Sequence, residues 1–545
     1  MDTKKTQTKA TEPQPHSSTP NDLEDFYDSL TKNPEPSNLS KSPALLHQKK
    51  KFSVKKMIFS FFLILAILGI SYGTFVASKI YFVSKKVSIS NENPSFFETI
   101  KTFATPSSIS NLKGGETGRI NILLLGIAGK GKPGQNLTDT IIVLSVNTKT
   151  NQVALLSIPR DLYVEVPDAH FWTKINSVYQ YGINSSPKNE TEQLTPLLNV
   201  VRDLTNLNVD YYAVLNFDGF QKMIDAIGGI NIISERDFYD PTYPGPNYSY
   251  ETFELKKGFH QLDGATALKY ARERHNDPEG DFGRAKRQQQ VMQSFKNKFF
   301  SIGTFVNVFA LNDFLNALGD NLKTNISTDE MGAFLELSKK LDTQNINNMV
   351  LDAWNKDSLL KISRSVREAV GASALVPRVG NYSEIQELAQ NIFDLNEIRR
   401  KREEIAKENA SIVIINQSGD FSLTEKIRKL LSVNLDYKNI AIKKTIDKTI
   451  ASKTIAYDLT GGTKLFTLDE LVKKLPASTA DTVPENIRNL VIPKISVSKN
   501  SAVTELPIVI VLGKDLSGIY NIEEGTIQDL ESSRDNEESL NFNKK

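Results

Sequence analysis

Residues 57–77, MIFSFFLILAILGISYGTFVA, contain no charged side chain, and Lys49, Lys50, Lys51, Lys55 and Lys56 stand directly before them. An apolar helix of about 21 residues rising 1.5 Å each is about 31 Å long, which matches the hydrocarbon thickness of a bilayer. A secretory signal peptide is the competing reading, but its apolar core is about 7–15 residues long and lies close to the N-terminus. This run is longer and later. Lysines collect on the cytoplasmic side of a membrane span. The sequence therefore predicts a single-pass protein of the cell membrane, with a cytoplasmic N-terminus and everything from Ser78 onward outside.

The chain has 545 residues, more than one hydrophobic core organises, since such cores stop growing near roughly 250–300 residues. A formal charge of +2 with balanced acids and bases gives no ground for nucleic-acid binding. The lack of cysteine excludes disulfides, thiolate nucleophiles and Cys-ligated zinc. Of five histidines, His16 and His47 lie in the N-terminal tail, which leaves little material for histidine chemistry. A reaction centre must draw on carboxylates, arginines and hydroxyls.

Residues 1–56 are rich in Thr, Ser, Pro, Lys and Glu and read as a disordered cytoplasmic tail. Residues 78–117 read as an extracellular stem. A folded domain over 118–396 opens with three apolar runs, NILLLGI (121–127), TIIVLSV (140–146) and VALLSI (153–158), of the kind found in strands buried on both faces. The polar NTKTNQ between the last two fits a hairpin turn. LLNVVRDLTNL (197–207) has helical spacing, YYAVLNF (211–217) reads as strand, and GFQKMIDAIGG (219–229) as a helix closed by glycine. In RQQQVMQSFKNKFF, Val291, Phe295 and Phe299 share one helical stripe. Strands interleaved with helices predict an α/β fold with a mixed central sheet covered by helices. A charged helix over 384–409, whose part 397–409 serves as linker, leads to a small strand-helix-strand-helix-strand domain over 410–516. An acidic, frayed tail closes the chain over 517–545.

Gly126, Gly131 and Lys132 satisfy the spacing of a nucleotide-binding P-loop, but Pro133 takes the place of the magnesium-binding hydroxyl and no helix follows. Richer chemistry is spread over four places: Asp139 in TDT, Arg160 and Asp161 in SIPRD, Lys174 in TKIN, and the run 269–290, KYARERHNDPEGDFGRAKRQQQ. Arg272 and Arg274 would share a face of an extended segment, and Asp281, Arg284 and Gln288 would stack along the start of a helix. The bland alternative is a solvated basic face neutralised by Glu273, Asp277, Glu279 and Asp281. Against it, Arg160 and Asp161 end a buried strand, where a charge needs a reason to sit. Guanidinium groups so gathered suit phosphate oxygens.

With NILLLGI, TDTIIVLSVNTKT, LLSIPRDLYVEVP, KIN, NFDGF, IGGINI and ALKYARERHNDPEGDFGRAKRQQQ, the chain resembles the LytR-CpsA-Psr family of envelope glycopolymer ligases over roughly 121–300, more weakly to about 393. The last domain resembles the LytR C-terminal domain, with SIVIINQSGDFSL a looser match than the usual Asn-Gly-Thr pattern. The resemblance implies a phosphotransferase that moves a glycopolymer from an undecaprenyl pyrophosphate carrier to peptidoglycan. Asp139 would coordinate Mg2+ or help activate the acceptor hydroxyl. Arg160, Arg272 and Arg274 would clamp the pyrophosphate, and Asp281, Arg284 and Gln288 would complete the clamp. A groove between the sheet and its covering helices is the expected place for the lipid tail.

Many family members carry Asp where this chain has Ala128 and Arg where it has Leu137, so one negative and one positive charge are missing. Lys130 or Lys132, in GIAGKGKPG, could supply positive charge to the pyrophosphate, with magnesium bound weakly or only with substrate; alternatively the loop is a solvated tip. The two absent residues also leave open a non-catalytic binder of polyprenyl-linked glycans, and hydrolysis of the lipid pyrophosphate is a third alternative. The cytoplasmic tail has no helix-turn-helix pattern that would support transcriptional regulation.

Overall fold

The computed structural model describes Ser78 and residues 108–167, 169–245, 249–273, 277–278, 280–301, 319, 321–327, 330–354, 357–363, 374–444, 449–480, 482–492, 506–518 and 524–525. The apolar run 57–77 and the tail before it lie outside this set. Among the described residues no helix is long and apolar enough to cross a membrane.

The three apolar runs form strands β1 (Arg119–Ile127), β2 (Thr138–Asn147) and β3 (Gln152–Ser157), paired antiparallel in sequence. The NTKTNQ hairpin is present: the Asn147 side chain accepts hydrogen bonds from the backbone N–H groups of Lys149 and Thr150, and Asn151 takes a φ of 60°, which asparagine tolerates. A two-stranded ribbon follows, β4 (Tyr163–Val166) with β5 (Phe171–Lys174), then α1 (Val178–Ser185) and α2 (Thr195–Thr205). β6 (Tyr211–Asn216) returns parallel to β1, and α3 (Phe217–Ala226) starts from an Asn216 cap that accepts from Gly219 N. Gly228 and Gly229, at φ 74° and 82°, close α3. They lead through β7 (Ile230–Ser234), β8 (Phe238–Pro244), β9 (Tyr250–Leu255) and β10 (Gly258–Leu262) into α4 (Gly264–Arg272) and α5 (Gly280–Ser301). The domain continues with β11 (Leu322–Thr324), α6 (Met331–Lys340), β12 (Asp342–Val350), β13 (Leu360–Ser363) and β14 (Leu375–Pro377).

The central sheet has the order β11-β6-β1-β2-β3-β12. β1 is parallel to β6 and β3 to β12, so β1, β3, β6 and β12 end at the same rim, where β2 begins. Alternation along the strands sends Leu123, Ile141, Val143 and Val214 to one face, against α1, α2 and α7 (Ser383–Gln390). Leu124, Ile142, Ala213 and Leu215 point to the other, toward α3, α4 and α5. Each fully buried leucine or isoleucine contributes about 1.5–3 kcal/mol.

Two boundaries differ from the sequence reading. Residues 108–117, expected in the stem, belong to the domain: Leu112 is buried with Ile120 and Tyr211, and Tyr211 accepts from Lys113 N. The charged helix expected over 384–409 is two helices, α7 and α8 (Leu395–Glu408), because Asp394 caps the second by accepting from Asn396 N. In the last domain the five expected elements appear as β15 (Ile412–Asn416), α9 (Ser422–Lys429), β17 (Ile455–Asp458), α10 (Leu465–Lys474) and β19 (Ile508–Leu512), joined by β16 (Ile440–Lys443), β18 (Ser478–Thr479) and α11 (Glu485–Val491). Its sheet has the order β16-β15-β19-β17-β18. β16 lacks an apolar run because it is an exposed edge. The tail expected to fray returns to the first domain in part, where β20 (Glu524–Gly525) pairs with β13.

The junction of the two domains is built from charge. Arg378 grips Glu384 with two bonds of 2.7 Å, both groups almost fully buried. Lys474 of α10 and Lys401 of α8 both reach Glu387 of α7, at 3.1 and 3.0 Å. Breaking a buried pair from one side costs about 3–5 kcal/mol, so Arg378→Ala should lower the free energy of unfolding of the first domain by that order, measured by denaturant titration. Burial pushes the Glu387 carboxyl up, but Lys474 and Lys401 outweigh it and hold the group below its ordinary value. Its stabilisation is therefore complete above the ordinary carboxylate range and is lost as pH falls through the depressed folded value. Thermal unfolding followed down through that range should show an acid limb that Glu387→Gln flattens.

Candidate functional site

The rim where β1, β3 and β6 end and β2 begins gathers side chains that are far apart in sequence. Asp139 stands at the start of β2 and Arg160 just past the end of β3, and Arg160 Nη1 donates to Asp139 Oδ1 at 2.9 Å. Arg160 Nε lies 3.6 Å from Asp161 Oδ2, while Lys174 Nζ, at the end of β5, donates to Asp161 Oδ1 at 2.7 Å. From α5, Arg284 Nη2 reaches the Asp139 carbonyl oxygen at 3.4 Å. Lys174, Asp161, Arg160, Asp139 and Arg284 thus form one continuous array. Its carboxylates hold the guanidinium of Arg160 in place.

One turn beyond Arg284 on the same face of α5, the Gln288 amide donates to Ala271 O at 3.4 Å, next to Arg272. Arg272 is the last residue of α4, not part of an extended segment. Its guanidinium lies over the rings of Phe217, at 4.4 Å, and Tyr243, at 5.7 Å, contacts worth about 0.5–2 kcal/mol each. Burial pushes the Tyr243 phenol up to about 12, against the pull of Arg272, so this wall of the box stays neutral. Arg274 lies outside the described residues, as does the side chain of Asp281.

Past Gln288 the same face of α5 continues as Val291, Met292 and Phe295, which line a groove of about 380 Å³ with Leu124, Ile142, Ala213, Leu215, Phe217 and Met223. Arg272, Gln288, Asn216 and Thr140 are its polar lining residues. The groove lies between the sheet and its covering helices. The loop after β1 sits beside the N-terminus of α3, where Lys132 Nζ pairs with Asp218 Oδ2 at 2.6 Å and a Cβ on Gly129 would touch Asn216. Lys130 is exposed, and Ala128 is buried. The segment is a chain of turns, with Gly129, Gly131 and Gly134 all at positive φ and no helix opening after Lys132, as its P-loop spacing alone would not reveal.

Sequence reasoning identified the charged members of the array but not Phe217 and Tyr243, the aromatic walls around Arg272. Phe217 stands in the quoted NFDGF; nothing in the sequence marked Tyr243. Among the described residues no group of three or more acidic or histidine side chains could hold a metal ion.

The α/β domain thus joins a guanidinium-rich rim to an apolar groove. Residues 79–367 match the LytR_cpsA_psr family, and the chain belongs to it. It is 31% identical over 271 residues to the polyisoprenyl-teichoic acid–peptidoglycan teichoic acid transferase TagU of Bacillus anthracis, covering 50% of this chain and 80% of that protein. It is 30% identical over 285 residues to the protein of the same name from Enterococcus faecalis, covering 52% and 81%. Among solved structures, B. subtilis TagU aligns with 25% identity and a TM-score of 0.35 over 51% of this chain and 96% of that one, and B. subtilis TagV with 24% and 0.39 over 51% and 97%.

Proposed function

We propose that this chain transfers a glycopolymer from an undecaprenyl pyrophosphate carrier to peptidoglycan at the outer face of the cell membrane. The observation that carries the proposal is the single face of α5, which begins with Arg284 and Gln288 at the charged rim and passes into the apolar groove through Val291, Met292 and Phe295. An ionic head joined to a hydrocarbon tail matches that order of chemistry. The TagU relatives are named for transfer of teichoic acid from a polyisoprenyl carrier to peptidoglycan, which supports the same assignment.

In this reading Arg160, Arg272 and Arg284 neutralise the diphosphate, with Arg274 and Asp281 contributing as the family resemblance implies and Lys174 fixing Asp161 against Arg160. A hydroxyl of the peptidoglycan acceptor attacks the phosphorus that bears the glycan. The new O–P bond forms as the bridging O–P bond breaks, polyprenyl phosphate leaves, and the hydroxyl proton passes to Asp139 or to water. Phosphoryl transfer asks the protein mainly for positioning and charge stabilisation. Magnesium commonly takes one or two carboxylates together with substrate phosphates. The donor set here fits that mode, because Asp139 is a single, partly exposed carboxylate at the rim. It would hold the ion jointly with the diphosphate, and the ion would neutralise charge developing on the phosphoryl oxygens. A non-catalytic glycan-lipid binder is the second reading, favoured by Ala128 and Leu137.

The full chain, supplied with a lipid-pyrophosphate oligosaccharide and peptidoglycan fragments, should couple glycan to the wall material. No turnover supports the binder instead, and free glycan phosphate supports hydrolysis. Arg160→Ala and Arg272→Ala should each slow turnover by roughly 10²- to 10³-fold, and Ala213→Trp should weaken binding of the lipid-linked substrate while leaving inorganic pyrophosphate binding unchanged. For the loop, Lys132→Ala or Lys130→Ala should weaken pyrophosphate binding in a titration; equal affinities in both variants would remove these lysines from the site.

A further inference from the structure

We infer that Arg287, together with Asp277, is a positioning element that sets Arg272 for diphosphate binding, an inference that rests on the function proposed above. Arg287 sits one residue before Gln288 on α5 and flanks the groove face without lining it. Its Nε donates to Tyr270 O at 3.0 Å, its Nη2 to Glu273 O, and its Nη1 to the Asp277 carboxylate. The ring planes of Phe238 and Tyr270 lie against it, at 5.0 and 5.8 Å. Two of its three acceptors are carbonyl oxygens at the C-terminal end of α4, where a helix leaves such oxygens without intrahelical partners and favours a cation. Arg272 lies between those two carbonyls in sequence.

The other half of the device is Asp277, almost wholly buried, which also accepts from Arg236 Nη1 at 3.0 Å. Asp277 lies so close to α5 that a Cβ on Gly283 would stand 2.1 Å from its Oδ2 and 2.7 Å from its Cγ. Only glycine permits that approach. The chain leaving α4 is therefore pinned to α5 from both sides, by the guanidinium of Arg287 and by the seat that Gly283 leaves for Asp277. The same helix presents Arg284 one turn before Arg287 and Gln288 next to it, so α4 and α5 hold Arg272 and Arg284 at a fixed separation. Lysine at 287 would keep the charge but not bridge the carbonyl oxygens and the carboxylate together.

The test is a double-mutant cycle on the full chain, read as inorganic pyrophosphate affinity by calorimetry, with circular dichroism and Tm as the check on folding. Arg287→Lys should weaken pyrophosphate binding about tenfold in the wild-type background and less than twofold when Arg272→Ala is already present. Unchanged affinity in Arg287→Lys, or equal losses in both backgrounds, overturns the inference. If Arg287→Lys does not fold, Gly283→Ala takes its place in the cycle with the same expected pattern, since it displaces Asp277 and leaves Arg287 intact. Failure of the function reading gives a different result: Arg272→Ala and Arg160→Ala would then both leave pyrophosphate affinity at the wild-type value.

Discussion

The site depends on how α5 crosses the carboxyl rim of the sheet. Its first turns meet the start of β2 through Arg284 and the end of α4 through Gln288 and Arg287. Its middle turns stand off the sheet and leave the groove. A helix packed flush along its whole length would have closed that space, and one held only at its far end would not have brought Arg284 to Asp139. The polar anchoring of the N-terminal half is therefore what allows the second half to be open, and both parts of the proposed ligand site follow from one helix orientation.

The charge arrangement at the rim reflects the same economy. Arginine at the end of a buried strand is costly to desolvate unless it is paired. Asp139 and Asp161 hold Arg160 from two sides, and Lys174 holds Asp161 in turn. No single group of this array stands unsupported. Arg272 uses a different support. It lies over Phe217 and Tyr243, which lets a guanidinium sit at the lip of an apolar groove.

Much of this was legible in the sequence, for reasons that differ by element. The three apolar runs specified β1 to β3 because strands buried on both faces have no polar positions to confuse the pattern. Helical spacing specified α2 and α5, and in the stripe Val291, Phe295, Phe299 the first is buried and the other two pack partly buried against the same cluster. What one-dimensional reading could not see is that Arg284 and Gln288 continue that same stripe, so that the basic and apolar patterns are a single face. It also treated Arg272 as extended. The chain there is the end of a helix, held in that form by contacts to Arg287, and such long-range contacts leave no periodic trace. β16 escaped notice because its exposed edge position requires no apolar alternation, and the domain start at 108 because one buried leucine in a polar segment carries too little signal.

Ala128 and Leu137 stand where many family members carry Asp and Arg. Ala128 is buried beside a turn that brings Gly129 against Asn216, the cap of α3. A carboxylate there would sit at the positive end of a helix and within the same rim as Asp139. Among the described residues, Asp139 and Asp161 are the acidic side chains of the array, and Lys174 holds the second. The loop meanwhile carries Lys132, whose partner Asp218 is in the first turn of α3, adjacent to Phe217 under Arg272. An anion at the mouth of the groove would compete with Asp218 for that lysine. On the function proposed above, that lysine would carry positive charge to the diphosphate in place of the family arginine.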